Sequence, residues 1–387
     1  MNNVIIPEFS LPSDIFIRQD ITKAISNIME PFGKRTAILL TAADFDMFYK
    51  TADQMSNILN KSGIGCMIYD KLPKEPNTED IDEAVNFIKR ANCSSIIGFG
   101  GIEAINCAKA VSILINNYIF CNDIFDEAYL RNPPVSLVTI PAFPVFGFEI
   151  NPLFYVADIT EKAKHVFFDK RLYPKAAIID PSLAMMLPPA DIVKNGLAAL
   201  AVAIESVISE GNNNIVNTFA LKAIDLIFRN LPLLLKEGAD YEMVSFISAA
   251  SIMSGIAFST SYLSASMAIG LALSKKDGIS LADAMGVLIP YIMEYNLTAA
   301  TGKYVQMAKV MGENLNDITV IEAAIKAVAA VRSLESETGA PQKLGALDVQ
   351  RQDLKEIAKM AMKYPFMENS PKQFDSGEIE AILISAL

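Results

Sequence analysis

The sequence predicts an α/β domain with a mostly parallel sheet, followed by an all-helical domain. Three observations carry this. Short apolar runs alternate with amphipathic segments through the first half of the 387 residues. The pair Gly100-Gly101 closes one of those runs at its C-terminal end. Strand-like alternation then disappears after about residue 188. Strands alternating with helices, with a glycine turn after a strand, argue for a parallel sheet whose ligands gather at the carboxyl ends of its strands. The domains are therefore placed at 1–187 and 188–387.

The elements follow in order. Residues 36–41 (TAILLT) read as a strand and 52–61 as a helix with Met55, Ile58 and Leu59 on one face. Residues 65–69 (GCMIY) read as a second strand. In 80–90, Ile81, Ala84, Val85 and Ile88 recur at helical spacing. Residues 94–98 (SSIIG) form a third strand that runs into Gly100-Gly101 and a helix from about Glu103. Residues 135–140 form a fourth, 154–158 and 165–168 a hairpin at an edge, and 176–181 a last strand. Eight apolar stretches of helical period then follow: 190–210, 215–230, 243–273, 281–295, 299–311, 317–333, 353–362 and 377–386.

Composition narrows the function. A hydrophobic fraction of 52% supplies large cores and excludes a disordered chain. A net charge of −11 without a basic patch excludes nucleic acid as a partner. Cys66, Cys93, Cys107 and Cys121 lack metal-ligand spacing and read as thiols of a reducing cytosol. The first residues lack the pattern of a secretory leader, so a cytoplasmic protein is expected. Residues 243–274 carry no charge and are long enough to span a bilayer. Nine serines in that stretch favour closely packed helices over a membrane span.

Several segments together resemble the iron-containing alcohol dehydrogenases over nearly the whole chain. They are Glu75-Pro76-Asn77-Thr78, the run from Ile97 through Gly100-Gly101 to Ala108-Lys109-Ala110, and the loop Ile140-Pro141 with Gly147, Glu149, Pro152 and Asp158. Lys164, Asp169, Leu172, Pro174, Ile179-Asp180-Pro181 and Leu187-Pro188 continue the match. Gly255 with Ala257-Phe258, Leu288-Ile289-Pro290-Tyr291 with Met293-Glu294-Tyr295-Asn296, and Asn369-Ser370-Pro371 complete it. The resemblance implies a Rossmann-like, nucleotide-binding-like first domain and a helical metal-binding domain, the dehydroquinate synthase-like architecture. It also implies a homodimer, or pairing with an active paralogue or another protein.

The departures matter as much. The resemblance places the metal ligands, an aspartate and three histidines, at Ala198, Val202, Met267 and Leu281, and a proton-transfer histidine at Leu271. Alanine, valine and leucine offer no lone pair, and a thioether is a poor ligand for Fe²⁺ or Zn²⁺. The single histidine, His165, lies in the first half and reads as a hairpin residue. No iron or zinc is therefore expected. Glu205 survives on the ligand helix, but one carboxylate makes no metal site.

The cofactor positions implied by the resemblance are Gly100, Gly101, Asn106, Lys109, Gly147 and Lys164. Around them, Glu103 replaces a serine and Phe143, Phe146 and Phe148 replace small polar residues. The carboxylate that would hold a ribose is Ala42 here, with Asp44 and Asp46 as stand-ins. Glu103 also reads as a helix cap, and the phenylalanines as filling of the old pocket. NAD or NADP is thus expected at reduced affinity, and no catalytic residue is assigned. The leading expectation is a pseudoenzyme with a binding, regulatory or assembly role. The alternative is an NAD(P)-dependent alcohol dehydrogenase or aldehyde reductase working without the usual metal, with Lys164 or Tyr262 as electrophile. A small-molecule binding module using the phenylalanines is a third reading.

Overall fold

The computed structural model describes residues 9, 11–125, 130–159, 163–236, 238–276 and 278–387. The N-terminal stretch in which a leader was sought lies largely outside them. Contacts divide the chain into two units. One comprises Ser13–Ile192 with Gly238–Ser248, and the other Met1–Pro12, Val193–Glu237 and Ala249–Leu387. The change of unit after Ile192 is five residues beyond the expected boundary at 187.

Among the described residues the first unit holds eight strands: β1 Asp14–Ile17, β2 Arg35–Thr41, β3 Gly65–Leu72, β4 Ser95–Gly100, β5 Ser136–Pro141, β6 Leu153–Asp158, β7 Ala163–Phe168 and β8 Ala176–Ile179. Its helices are α1 Ile25–Met29, α2 Ala42–Lys61, α3 Thr78–Arg90, α4 Ile102–Leu114 and α5 Pro181–Ala184. Six strands form one sheet in the order β1-β8-β5-β4-β2-β3, and every pairing in it is parallel. Alternate residues of each strand enter opposite cores. Ala37, Leu39, Ile96 and Leu137 face one, while Ile38, Leu40, Ile97 and Val138 face the other. A sheet covered on both faces is why these strands read as continuous apolar runs. Each fully buried aliphatic side chain contributes about 1.5–3 kcal/mol.

Chain order and spatial order disagree at one place that matters for function. The chain passes from β2 to β3 on one side, and β4 then lies on the other side of β2. The carboxyl ends of β2 and β4 therefore flank a topological switch point, where ligands of such sheets dock. β6 and β7 form a separate antiparallel pair, not an edge of the main sheet.

The sequence-read helical stretches become α6 Pro189–Ile208 and α8 Tyr241–Ser261, both of which begin in residues of the first unit, and α7 Asn214–Lys236, α9 Ala265–Leu273, α10 Leu281–Asn296, α11 Thr301–Val310, α12 Val320–Glu337, α13 Leu354–Ala361 and α14 Ser376–Ala386 in the helical unit. The single run expected at 243–273 is broken after Ser261, where Tyr262 takes a left-handed φ of 48°. By length and composition alone α8 is able to cross a membrane, and 61% of its most apolar window is buried. Every residue of α9 is buried.

Candidate functional site

The switch point is built from two helix starts. After β2, Thr41 leads into α2, and the Thr41 hydroxyl donates to the Asp44 carboxylate at 2.6 Å. After β4, Gly100 takes a φ of +134° and Gly101 is the N-cap of α4, with no side chain of its own to cap it. The cap comes from elsewhere: the Gly101 N–H donates to Asp44 Oδ1 at 2.9 Å. One carboxylate thus serves the N-termini of two helices. The fit leaves no room to spare. A Cβ on Gly100 would lie 2.4 Å from the Asp44 carboxyl, and one on Gly101 would lie 2.9 Å from the Phe143 ring. Burial raises the pKa of Asp44, against the pull of its hydrogen bonds.

Glu103 in the first turn of α4 is half-buried; partial loss of water around the carboxyl raises its pKa, and Lys164 pulls the other way. The Tyr155 hydroxyl donates to Glu103 Oε1 at 2.9 Å. Lys164 Nζ lies 5.3 Å from the Tyr155 ring centroid. The three phenylalanines read as pocket fillers are buried to different degrees. Phe146 and Phe148 are almost inaccessible and meet edge to face at 5.5 Å, and Phe143 is partly buried.

The other positions implied by the resemblance have different surroundings. Lys109 is fully buried. Its ammonium donates to Phe148 O at 2.7 Å, Asn151 Oδ1 at 2.9 Å and Leu153 O at 2.6 Å, so all three donors hold the segment between β5 and β6. Burial pushes its pKa well down. The Gly147 N–H donates to Glu149 Oε2 at 2.9 Å. Asn106 is 2% exposed, and neither polar atom of its side chain has a hydrogen-bond partner among the described residues. Asp46 is exposed. Asp44, expected as a stand-in ribose ligand, is instead engaged at the glycine turn. His165 Nε2 lies 3.7 Å from Asp158 Oδ2 across the β6–β7 pair.

In the helical unit Ala198, Val202 and Met267 are fully buried and Leu281 is 4% exposed. A Cβ on Gly270 would meet Leu281 Cδ1 at 2.8 Å, so that side chain is seated against α9. Glu205 stands three residues beyond Val202 on α6 and is buried. Its carboxylate accepts the Ala265 N–H, the Ser266 N–H at 3.2 Å, the Ser266 hydroxyl and the Ser264 hydroxyl at 3.4 Å. These satisfy the unpaired amides that open α9, whose own N-cap residue makes no capping bond. Burial nonetheless raises the Glu205 pKa to about 7. Among the described residues no group of three or more His, Cys, Asp or Glu is placed to hold a metal. Alanine, valine, methionine and leucine do not fit a hard divalent ion.

Two family models decide the relationship. One described as iron-containing alcohol dehydrogenase matches residues 12–181, and one for the C-terminal part of the same family matches 192–387. The chain belongs to the iron-containing alcohol dehydrogenase family. The NAD-dependent methanol dehydrogenase of Bacillus methanolicus is 26% identical across 98% of this chain and 99% of its own length. The 1,3-propanediol dehydrogenase of Klebsiella pneumoniae is 27% identical, with 98% of each chain covered. A crystal structure of 1,3-propanediol oxidoreductase superposes with a TM-score of 0.91 at 27% identity, covering 98% of this chain and 99% of its own. An alcohol dehydrogenase from Oenococcus oeni also gives 0.91, at 23% identity and the same coverage.

Membership corrects the expectation about cofactors. The family is described as iron-containing, and a relative spanning the full length is named NAD-dependent. The expectation of no iron or zinc does not stand against that, and NAD is the nucleotide for which that relative is named. Side-chain replacement at single positions does not by itself fix what the whole chain binds.

Two engagements escaped the sequence reading. The Thr41-x-x-Asp44 spacing is a helix-start signature and would have moved the start of α2 ten residues back. Nothing local marks Glu205 as the cap of α9, because the two lie 60 residues apart.

Proposed function

We propose that this family member no longer oxidises alcohols at the family's metal position and persists as a binding, regulatory or assembly component. One observation carries the reading. The four positions that the resemblance assigns to metal ligands are apolar and buried, while the neighbouring carboxylate, Glu205, is committed to capping α9. The cofactor-side positions of this reading are Gly100, Gly101, Asn106, Lys109, Gly147 and Lys164, with Lys109 acting through the loop it holds. The working form is proposed to be a cytoplasmic homodimer, or a partner of an active paralogue.

The test is turnover. Purified protein supplied with iron(II) or zinc is assayed with short-chain alcohols and aldehydes and both nicotinamide nucleotides. No saturable rate above the metal-only background supports the proposal. A saturable rate, lost on replacing a residue of the glycine turn, favours the activity its relatives are named for.

A further inference from the structure

We propose that Asp44 is an internal anion that occupies the phosphate position of the switch point and must be displaced before a diphosphate-bearing ligand can dock. The inference does not rest on loss of alcohol oxidation, since its readout is binding rather than turnover.

The topology locates the crevice between the carboxyl ends of β2 and β4. The residues there offer an anion what it needs: glycines at 100 and 101 without side chains, and a backbone N–H at the start of the thirteen-residue α4. That N–H is already taken, at 2.9 Å, by Asp44 Oδ1. The side chain is 4% exposed, and the Thr41 hydroxyl fixes its other oxygen at 2.6 Å. The carboxyl lies where a Cβ on Gly100 would come within 2.4 Å. A docking phosphate would need the volume and the donor that Asp44 now holds. Glu103, in the first turn of the same helix, adds a second acidic group beside them. Asp44 is thus a specificity-determining residue: a ligand reaches the turn only by out-competing a tethered carboxylate.

Calorimetric titration with ADP-ribose, and with adenosine as the phosphate-free control, tests this on the full chain and on Asp44→Asn and Asp44→Ala. Thermal unfolding confirms that both variants fold. Asn keeps an acceptor for the Gly101 amide while removing the charge, so it guards against a variant that merely loosens α2. The expected result is at least about tenfold tighter ADP-ribose binding in Asp44→Asn, with adenosine changed less than about twofold. Equal ADP-ribose affinity in all folded forms overturns the proposal. So does a parallel gain for adenosine, or no ADP-ribose binding by either variant.

Discussion

Two of the longer α-helices among the described residues, α4 and α9, begin on a buried carboxylate brought from elsewhere in the chain, and the two places differ in what surrounds them. At α4, Asp44 caps a glycine turn at the switch point of a parallel sheet. At α9, Glu205 caps a helix whose residues are all buried. The physics is shared: the amides that open a helix need acceptors, and the macrodipole favours a negative one. The consequence is not. A cap at a switch point stands where a ligand docks, whereas a cap inside a packed helical unit only joins elements together. On the two proposals made above, the first carboxylate competes with a ligand, while the second joins α6 to the start of α9.

The contrast is broken most severely from the loop beside the switch point. Lys109→Met leaves Phe148 O, Asn151 Oδ1 and Leu153 O without their donor. A loss of about 3–5 kcal/mol in denaturant unfolding is expected. A loss under about 1 kcal/mol, the scale of a single ordinary hydrogen bond, would show that the loop does not depend on that ammonium.

Removing the structural cap is next. Glu205→Ala strands the amides of Ala265 and Ser266, and about 3 kcal/mol of stability should go with them. Glu205→Gln retains an acceptor and should cost less than half as much. Equal losses in the two variants would mean that the contact acts through volume rather than hydrogen bonding.

Val202→His asks whether the helical unit still tolerates a ligand. An imidazole in a fully buried apolar position without a partner should destabilise by about 2 kcal/mol. Wild-type stability in that variant would reveal a polar niche that the packing does not show.

A pH series sharpens the role of the hydrogen bonds at Glu205. Glu335 on α12 is also buried, but neither carboxylate oxygen has a hydrogen-bond partner, and burial raises its pKa to about 8. The folded protein therefore holds a proton between pH 4.5, the ordinary carboxyl value, and 8 that the unfolded chain has released. Stability falls as pH rises through that window and levels off above it. Glu335→Gln should remove this slope, leaving the variant the more stable of the two near pH 9 and level with wild type near pH 4. Parallel unfolding curves across the pH series would contradict it.

Much of the fold was legible because it is written locally. The TAILLT and SSIIG runs and the 80–90 periodicity became β2, β4 and α3, because a doubly covered sheet needs apolar strands and one-sided helices. β1 was missed: DIFI is four residues long and pairs on one side only, too little for a pattern to form. The break between α8 and α9 was missed because serine and small apolar residues run unbroken through it. At the site, the residue types at 198, 202, 267 and 281 were readable, but the partners of Asp44, Lys109 and Glu205 were not. Each contacts residues 39 to 61 positions away, and no spacing rule reaches across such a gap. The cofactor expectation failed for a different reason. Side-chain types at four positions do not fix what the rest of a 387-residue chain binds.

The most direct measurement is nicotinamide-dependent alcohol oxidation by the intact protein supplied with iron(II), followed by the absorbance of the reduced nicotinamide over a series of short-chain alcohols. No saturable rate is predicted on the proposed reading, in which the carboxylate beside the positions that the resemblance assigns to ligands is bound into the start of α9. A saturable rate that survives further purification and disappears in a glycine-turn variant would contradict the proposed loss of alcohol oxidation.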